Sequence, residues 1–261
     1  MNNILPHITL DTGNSPQHSI IWLHGLGADG EDFVSMAQEM NLPVAVRYIF
    51  PHAPKQPVTI NGGAIMRAWY DIAATDIGRQ QDEAGIRSAQ SAIEKLIAQE
   101  KQRGIAAENI YLAGFSQGGV IALHTGLRHA SRLGGIIVLS AYLPLTDSNS
   151  IPKVKQGGDE RTTKTVHSVR PGVIEEANAV SPMTWNWNDT LPHASSMAAA
   201  STPIFMAHGL SDPVIPYALG KTSAEKLSEL GFQLEWHEYD MAHSVCMEEV
   251  RDIEAWLTHH M

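Results

Sequence analysis

NIYLAGFSQGGVIALHTGLRHA, residues 109–130, carries the pattern on which the fold turns. Its first seven residues form a short, mostly apolar run, as in a strand buried on both faces, and from Gln117 onward the apolar residues recur at helical spacing. Between the two, Gly114-Phe115-Ser116-Gln117-Gly118 must pass from strand to helix within a few residues. So sharp a turn holds Ser116 in strained backbone geometry, and the turn needs the small residues Gly114 and Gly118 that flank it on either side at two positions' distance. The serine is then lifted above the sheet. A helix starting at Gln117 aims free backbone amides and the positive end of its dipole at the place where an oxyanion would form. A GxSxG match alone is weak, but a strand before it and a helix after it make it specific.

The rest of the chain repeats this alternation of short β-rich runs with longer helical ones. Besides the run from Asn109, strands are expected in SIIWLHG from Ser19, VAVRYIF from Val44, GIIVLSA from Gly135, PIFMAHG from Pro203 and FQLEWHEY from Phe232. GIRSAQSAIEKLIAQEKQRG from Gly85 is a helix by the spacing of Ile86, Ile93, Leu96 and Ile97, with Gly104 as its stop. Ser244 to His259 forms a second, with Val245, Val250, Ile253 and Leu257 on one side. The fold class is therefore α/β, a mostly parallel central sheet with helices on both faces. Residues 1–261 are expected to be a single domain, since one α/β core of this length is common. Within it, residues 148–200 lack a period and are rich in turn residues and charge, which reads as an irregular insertion, a lid or a flexible loop. Trp185 and Trp187 favour partial order there.

A formal net charge of -10 disfavours nucleic acid and anionic membrane, both of which need a basic face. No apolar run is long enough for an integral membrane segment, and the start MNNILPHITLDTGN lacks the basic and apolar regions of a signal peptide. The lone Cys246 cannot close a disulfide within the chain, so a cytoplasmic location is expected. A homodimer is compatible with the composition. Neither a metal constellation nor a nucleotide fingerprint occurs, and no cofactor is expected.

A serine hydroxyl attacks well only beside a base whose tautomer a third group fixes. In this fold the chain order is serine, acid, histidine. His243, in MAHS after the last expected strand, is the candidate base, because His208 and His237 lie in or at the ends of strands. His124 and His129 belong to the helix after Ser116, His167 and His193 to the insertion, and His259 and His260 to the terminus. Asp212 in HGLSDPVIP directly follows a strand and is the candidate orienter, ahead of Asp240, whose closeness to His243 suggests a local turn. The candidate oxyanion donors are the backbone amides of Gln117 and of Leu26 in HGLGADG, residues 24–30. Ile65, Met66, Trp69, Leu143 and Leu145 are candidates for an acyl groove, or for ordinary core.

LHGLGADG from Leu23, FPHAP from Phe50, MRAWYDI from Met66, GFSQGG from Gly114, MAHG and SDPVIP around Asp212, and MAHS from Met241 appear in order along the chain. Together they resemble the carboxylesterase and acyl-protein thioesterase family of α/β-hydrolases, also called the phospholipase/carboxylesterase family. The resemblance implies a cofactor-independent serine hydrolase of carboxylic esters or thioesters, with Ser116, Asp212 and His243 catalytic, Leu26 and Gln117 at the oxyanion hole, and Trp69 binding substrate beside the acyl site. Short or medium acyl esters rank first as substrates, then lysophospholipids and S-acyl thioesters. Members usually cross from the AYLPL segment to the PIFMAHG strand by a short loop, so the insertion is a departure. The competing expectation is a catalytically inactive α/β-hydrolase fold used as a binding protein. An intact Ser, Asp and His set favours the enzyme.

Overall fold

The computed structural model describes residues 4–73, 81–145 and 196–261. Seven strands form the main sheet: β1 (His7–Asp11), β2 (His18–Leu23), β3 (Val46–Pro51), β6 (Ile110–Phe115), β7 (Gly135–Leu139), β8 (Ile204–Gly209) and β9 (Leu234–Tyr239). Their order is β1-β3-β2-β6-β7-β8-β9. Every pairing is parallel except that of β1 with β3. All six expected strands are present. The seventh, β1, hides its signal, because an edge strand with half-exposed faces carries no continuous apolar run. Two short strands, β4 (Lys55–Val58) and β5 (Ala64–Arg67), pair separately as a hairpin.

Parallel strands covered on both faces send alternate residues to two cores. Ile21 and Leu23 of β2, with Ile110 and Leu112 of β6, face one cluster, which helices α2 (Glu83–Gln102), α3 (Gln117–Arg128) and α5 (Tyr217–Glu229) cover. Ile20, Trp22, Tyr111 and Ala113 face the other, where α1 (Val34–Glu39) and α6 (Met247–His260) pack. Each such buried aliphatic side chain contributes roughly 1.5–3 kcal/mol.

Two helix boundaries differ from expectation. α2 starts at Glu83 because Asp82 caps it, its carboxylate accepting the Gly85 N–H at 2.9 Å. α6 starts at Met247 and not at Ser244: Cys246 is extended, so residues 240–246 stay a loop that carries His243. The expected insertion over 148–200, with Trp185 and Trp187, lies outside the described residues except at its end. There Ser196–Ala200 forms a short helix, α4, where irregular chain was expected, in keeping with its alanine-rich sequence.

Candidate active site

Four loops leave the carboxyl ends of β2, β6, β8 and β9, and together they hold the site. Ser116 follows β6 with φ 54° and ψ −124°, a conformation that L residues rarely adopt. The flanking glycines are obligatory. A Cβ at Gly114 would lie 2.4 Å from the Gly118 carbonyl, and one at Gly118 would lie 2.3 Å from the Leu23 carbonyl oxygen. Ser116 occupies the N-cap of α3 yet makes no capping bond through its side chain. Its hydroxyl is instead free to meet a base.

The candidate base is within reach, for His243 Nε2 lies 2.9 Å from Ser116 Oγ. On the other side of the ring, Nδ1 lies 2.7 Å from Asp212 Oδ2. A carboxylate only accepts, so the proton sits on Nδ1 and Nε2 is left to take the serine proton. Asp212, 8% exposed, is fixed in turn by its own loop: Oδ1 accepts the Val214 and Ile215 N–H groups at 2.8 and 2.9 Å. Asp240, the rival acid, is exposed, and the ring nitrogens of His243 bond to Asp212 and Ser116 instead.

His208 is wholly buried, donates from Nε2 to the Ile215 carbonyl at 2.9 Å, and lies 3.5 Å from Asp212 Oδ2. Burial pushes its pKa below the ordinary imidazole value. The ring thus supports the loop of Asp212 without competing for its charge. Gly220 of α5 makes room for it, since a Cβ there would meet His208 Nδ1 at 2.4 Å. His124 and His129 pair with Gln90 and Glu94 on α2, and His237 stacks on Phe205.

The Leu26 and Gln117 amides donate to no acceptor among the described residues. The loop that carries Leu26 is a tight turn. Ala28 N–H reaches the Gly25 carbonyl at 3.3 Å, and Gly27, at φ 79°, takes the position that requires a left-handed residue. Gly25 rests on the nucleophile turn, where an added Cβ would come within 3.5 Å of Ser116 Cβ.

Side chains from elsewhere brace this region. Gln117 Oε1 accepts the Trp69 N–H and its Nε2 donates to the Tyr70 carbonyl, both at 2.8 Å. Trp69 Nε1 donates to the His24 carbonyl at 2.9 Å, and Gly27 N–H to the Arg67 carbonyl at 2.9 Å. The sequence singled out Gln117 for its amide and Trp69 for substrate, and missed both as braces. Trp69 is only 3% exposed, while Ile65, another groove candidate, is 72% exposed. Leu143 is buried in the core.

The sequence profile of the phospholipase/carboxylesterase family matches residues 8–165 and 179–261. The chain belongs to this family. It is a serine hydrolase of the α/β-hydrolase fold, acting on carboxylic esters or thioesters. Of the segment expected as a departure from the family, only residues 166–178 fall outside the match. Acyl-protein thioesterase 1 of Neurospora crassa is 34% identical over 252 residues, covering 93% of this chain and 86% of the relative. Its counterpart in Yarrowia lipolytica is 32% identical over 246 residues, covering 92% and 90%. Arabidopsis thaliana SOBER1 superposes with a TM-score of 0.70 at 26% identity, over 93% of this chain and 98% of that one. The esterase PE8, at 21% identity and a TM-score of 0.69, shares the fold over 99% of both chains. No helix among the described residues is long and apolar enough to cross a membrane.

Proposed function

We propose that this family member cleaves acyl esters and thioesters through an acyl-enzyme on Ser116, with His243 as general base and Asp212 as its orienter. The observation that carries this reading is the continuous chain of hydrogen bonds from Asp212 through His243 to Ser116. His243 takes the hydroxyl proton as Ser116 attacks the carbonyl carbon, and returns it to the leaving alcohol or thiol. Water then repeats the sequence on the acyl-enzyme and releases the carboxylate. The Leu26 and Gln117 amides receive the negative charge of each tetrahedral intermediate, each worth roughly 3–4 kcal/mol. Trp69 borders the acyl side of the site, adjoining the nucleophile turn through its bond to Gln117.

Short and medium acyl esters are the first substrates to expect, followed by lysophospholipids and S-acyl thioesters; the acyl-protein thioesterases among the relatives support including the last. The chain is read as one catalytic domain of the cytoplasm, a location the lone cysteine suits. Its net charge of -10 makes nucleic acid an unfavourable partner. Parallel turnover of p-nitrophenyl esters of increasing chain length and of an S-acyl peptide tests the substrate order. Exclusive turnover of the S-acyl peptide would replace it.

A further inference from the structure

His24, the residue directly after β2, is a buried ring, 1% exposed, with both nitrogens engaged. Its Nε2 accepts the Ala53 N–H at 3.0 Å, so the proton sits on Nδ1. That Nδ1 lies 2.7 Å from the Gly25 carbonyl oxygen and donates to it. Burial pushes the His24 pKa below the ordinary imidazole value, which keeps the ring neutral and this division of donor and acceptor intact. The Gly25 oxygen also accepts the Ala28 N–H, so the carbonyl is held by two donors.

A carbonyl fixed in this way fixes its neighbour. In a planar trans peptide the C=O and N–H point in opposite directions, so holding the Gly25 oxygen toward His24 turns the Leu26 N–H away from it. The lock is needed because Gly25 has no side chain to restrict its own rotation, yet it must lie bare against Ser116. An oxyanion donor is effective only when it is already aimed.

We propose that His24 is a positioning residue for the oxyanion hole: its Nδ1–H sets the plane of the Gly25–Leu26 peptide so that the Leu26 amide faces the charge developing at Ser116. This rests on the reading of Ser116 as nucleophile and Leu26 as donor. Two substitutions separate the ring's two bonds. His24→Asn keeps a donor where Nδ1 stands and loses the acceptor for Ala53; His24→Gln keeps the acceptor and loses the donor.

The test measures kcat and KM for a short ester in both variants, with inhibition by a trifluoromethyl ketone, which forms an oxyanion on the enzyme, and by the matching secondary alcohol, which does not. The expected result is that His24→Gln lowers kcat by roughly 10²-fold and weakens the ketone in parallel, with KM and the alcohol little changed. His24→Asn should stay within about threefold of the parent. Equal losses in the two variants, or a loss carried by KM and shared by the alcohol, would overturn the proposal. Nitrogen-15 NMR of the histidine rings in the unmodified enzyme needs no variant to fold: a proton on His24 Nδ1 is expected, and one on Nε2 refutes the role. Labelling of Ser116 by a fluorophosphonate is read separately, so a wrong nucleophile and a wrong role for His24 give different results.

Discussion

The side-chain and main-chain groups around Ser116 are held by different means. The proposed acid and base are side chains, and the two loops that present them hold each other: Asp212 is fixed by the amides of Val214 and Ile215, His243 by Asp212, and the Ser211 N–H by the Met241 carbonyl. The proposed oxyanion donors are main-chain amides, and the backbone that offers them is tied to residues far away in sequence, through Gln117, Trp69, His24 and the Arg67 carbonyl. A side chain can be aimed by a short turn. An amide has no rotamer of its own, so the whole backbone around it must be fixed, and that takes braces from several elements.

Substitutions on the side-chain half should show the largest effects. Ser116→Ala is expected to fold normally and to lose turnover by on the order of 10⁵-fold or more, leaving the catalysis that binding and the oxyanion hole supply. Asp212→Asn is expected to lower kcat by roughly 10⁴-fold, because the amide no longer fixes the imidazole tautomer, whereas Asp240→Asn should stay within about twofold. Steady-state assays of the two aspartate variants side by side check this, and the reverse order would remove Asp212 as the orienter.

On the amide half the loss should be smaller and shared with stability. Gln117→Leu keeps the Gln117 amide but strips the Trp69 N–H and Tyr70 carbonyl of their buried partner, at a cost of about 1–3 kcal/mol for each group left unsatisfied. Denaturant unfolding should register that loss, and kcat should fall more than KM rises. An unchanged kcat in a destabilised variant would confine the brace to folding.

The smallest effect lies where the base loop enters α6. Glu249 is fully buried, and burial pushes its carboxyl up to about 8, an effect the nearby Cys246 backbone only partly offsets. Between the ordinary carboxylate range and pH 8 the folded chain therefore holds a proton that the unfolded chain has lost, so stability falls as pH rises through that window. Glu249→Gln, neutral at every pH, should unfold at a higher temperature than the parent, by a margin that widens from pH 5 to pH 8.5. Thermal melts at the two pH values measure it, and a constant margin would contradict a buried neutral Glu249.

The same contrast governs what could be read in the sequence. Parallel buried strands announce themselves as apolar runs, and Ser116, Asp212 and His243 follow from chain order and from their places after β6, β8 and β9. The braces left no such trace. Gln117 meets Trp69 and Tyr70 across nearly fifty positions, and His24 meets Ala53 across 29, pairings that no local period encodes. β1 was hidden for a related reason, since its partner β3 lies far along the chain and its own faces are half exposed.

Activation of Ser116 by His243, itself held by Asp212, is the step on which the proposed function depends. Fluorophosphonate treatment followed by peptide mass spectrometry tests it most directly, because the probe reacts rapidly only with a serine activated by its base. A single adduct on Ser116 in the parent enzyme, with labelling nearly abolished in His243→Ala, is the predicted result. An adduct on another residue, or equal labelling of Ser116 without His243, would contradict it.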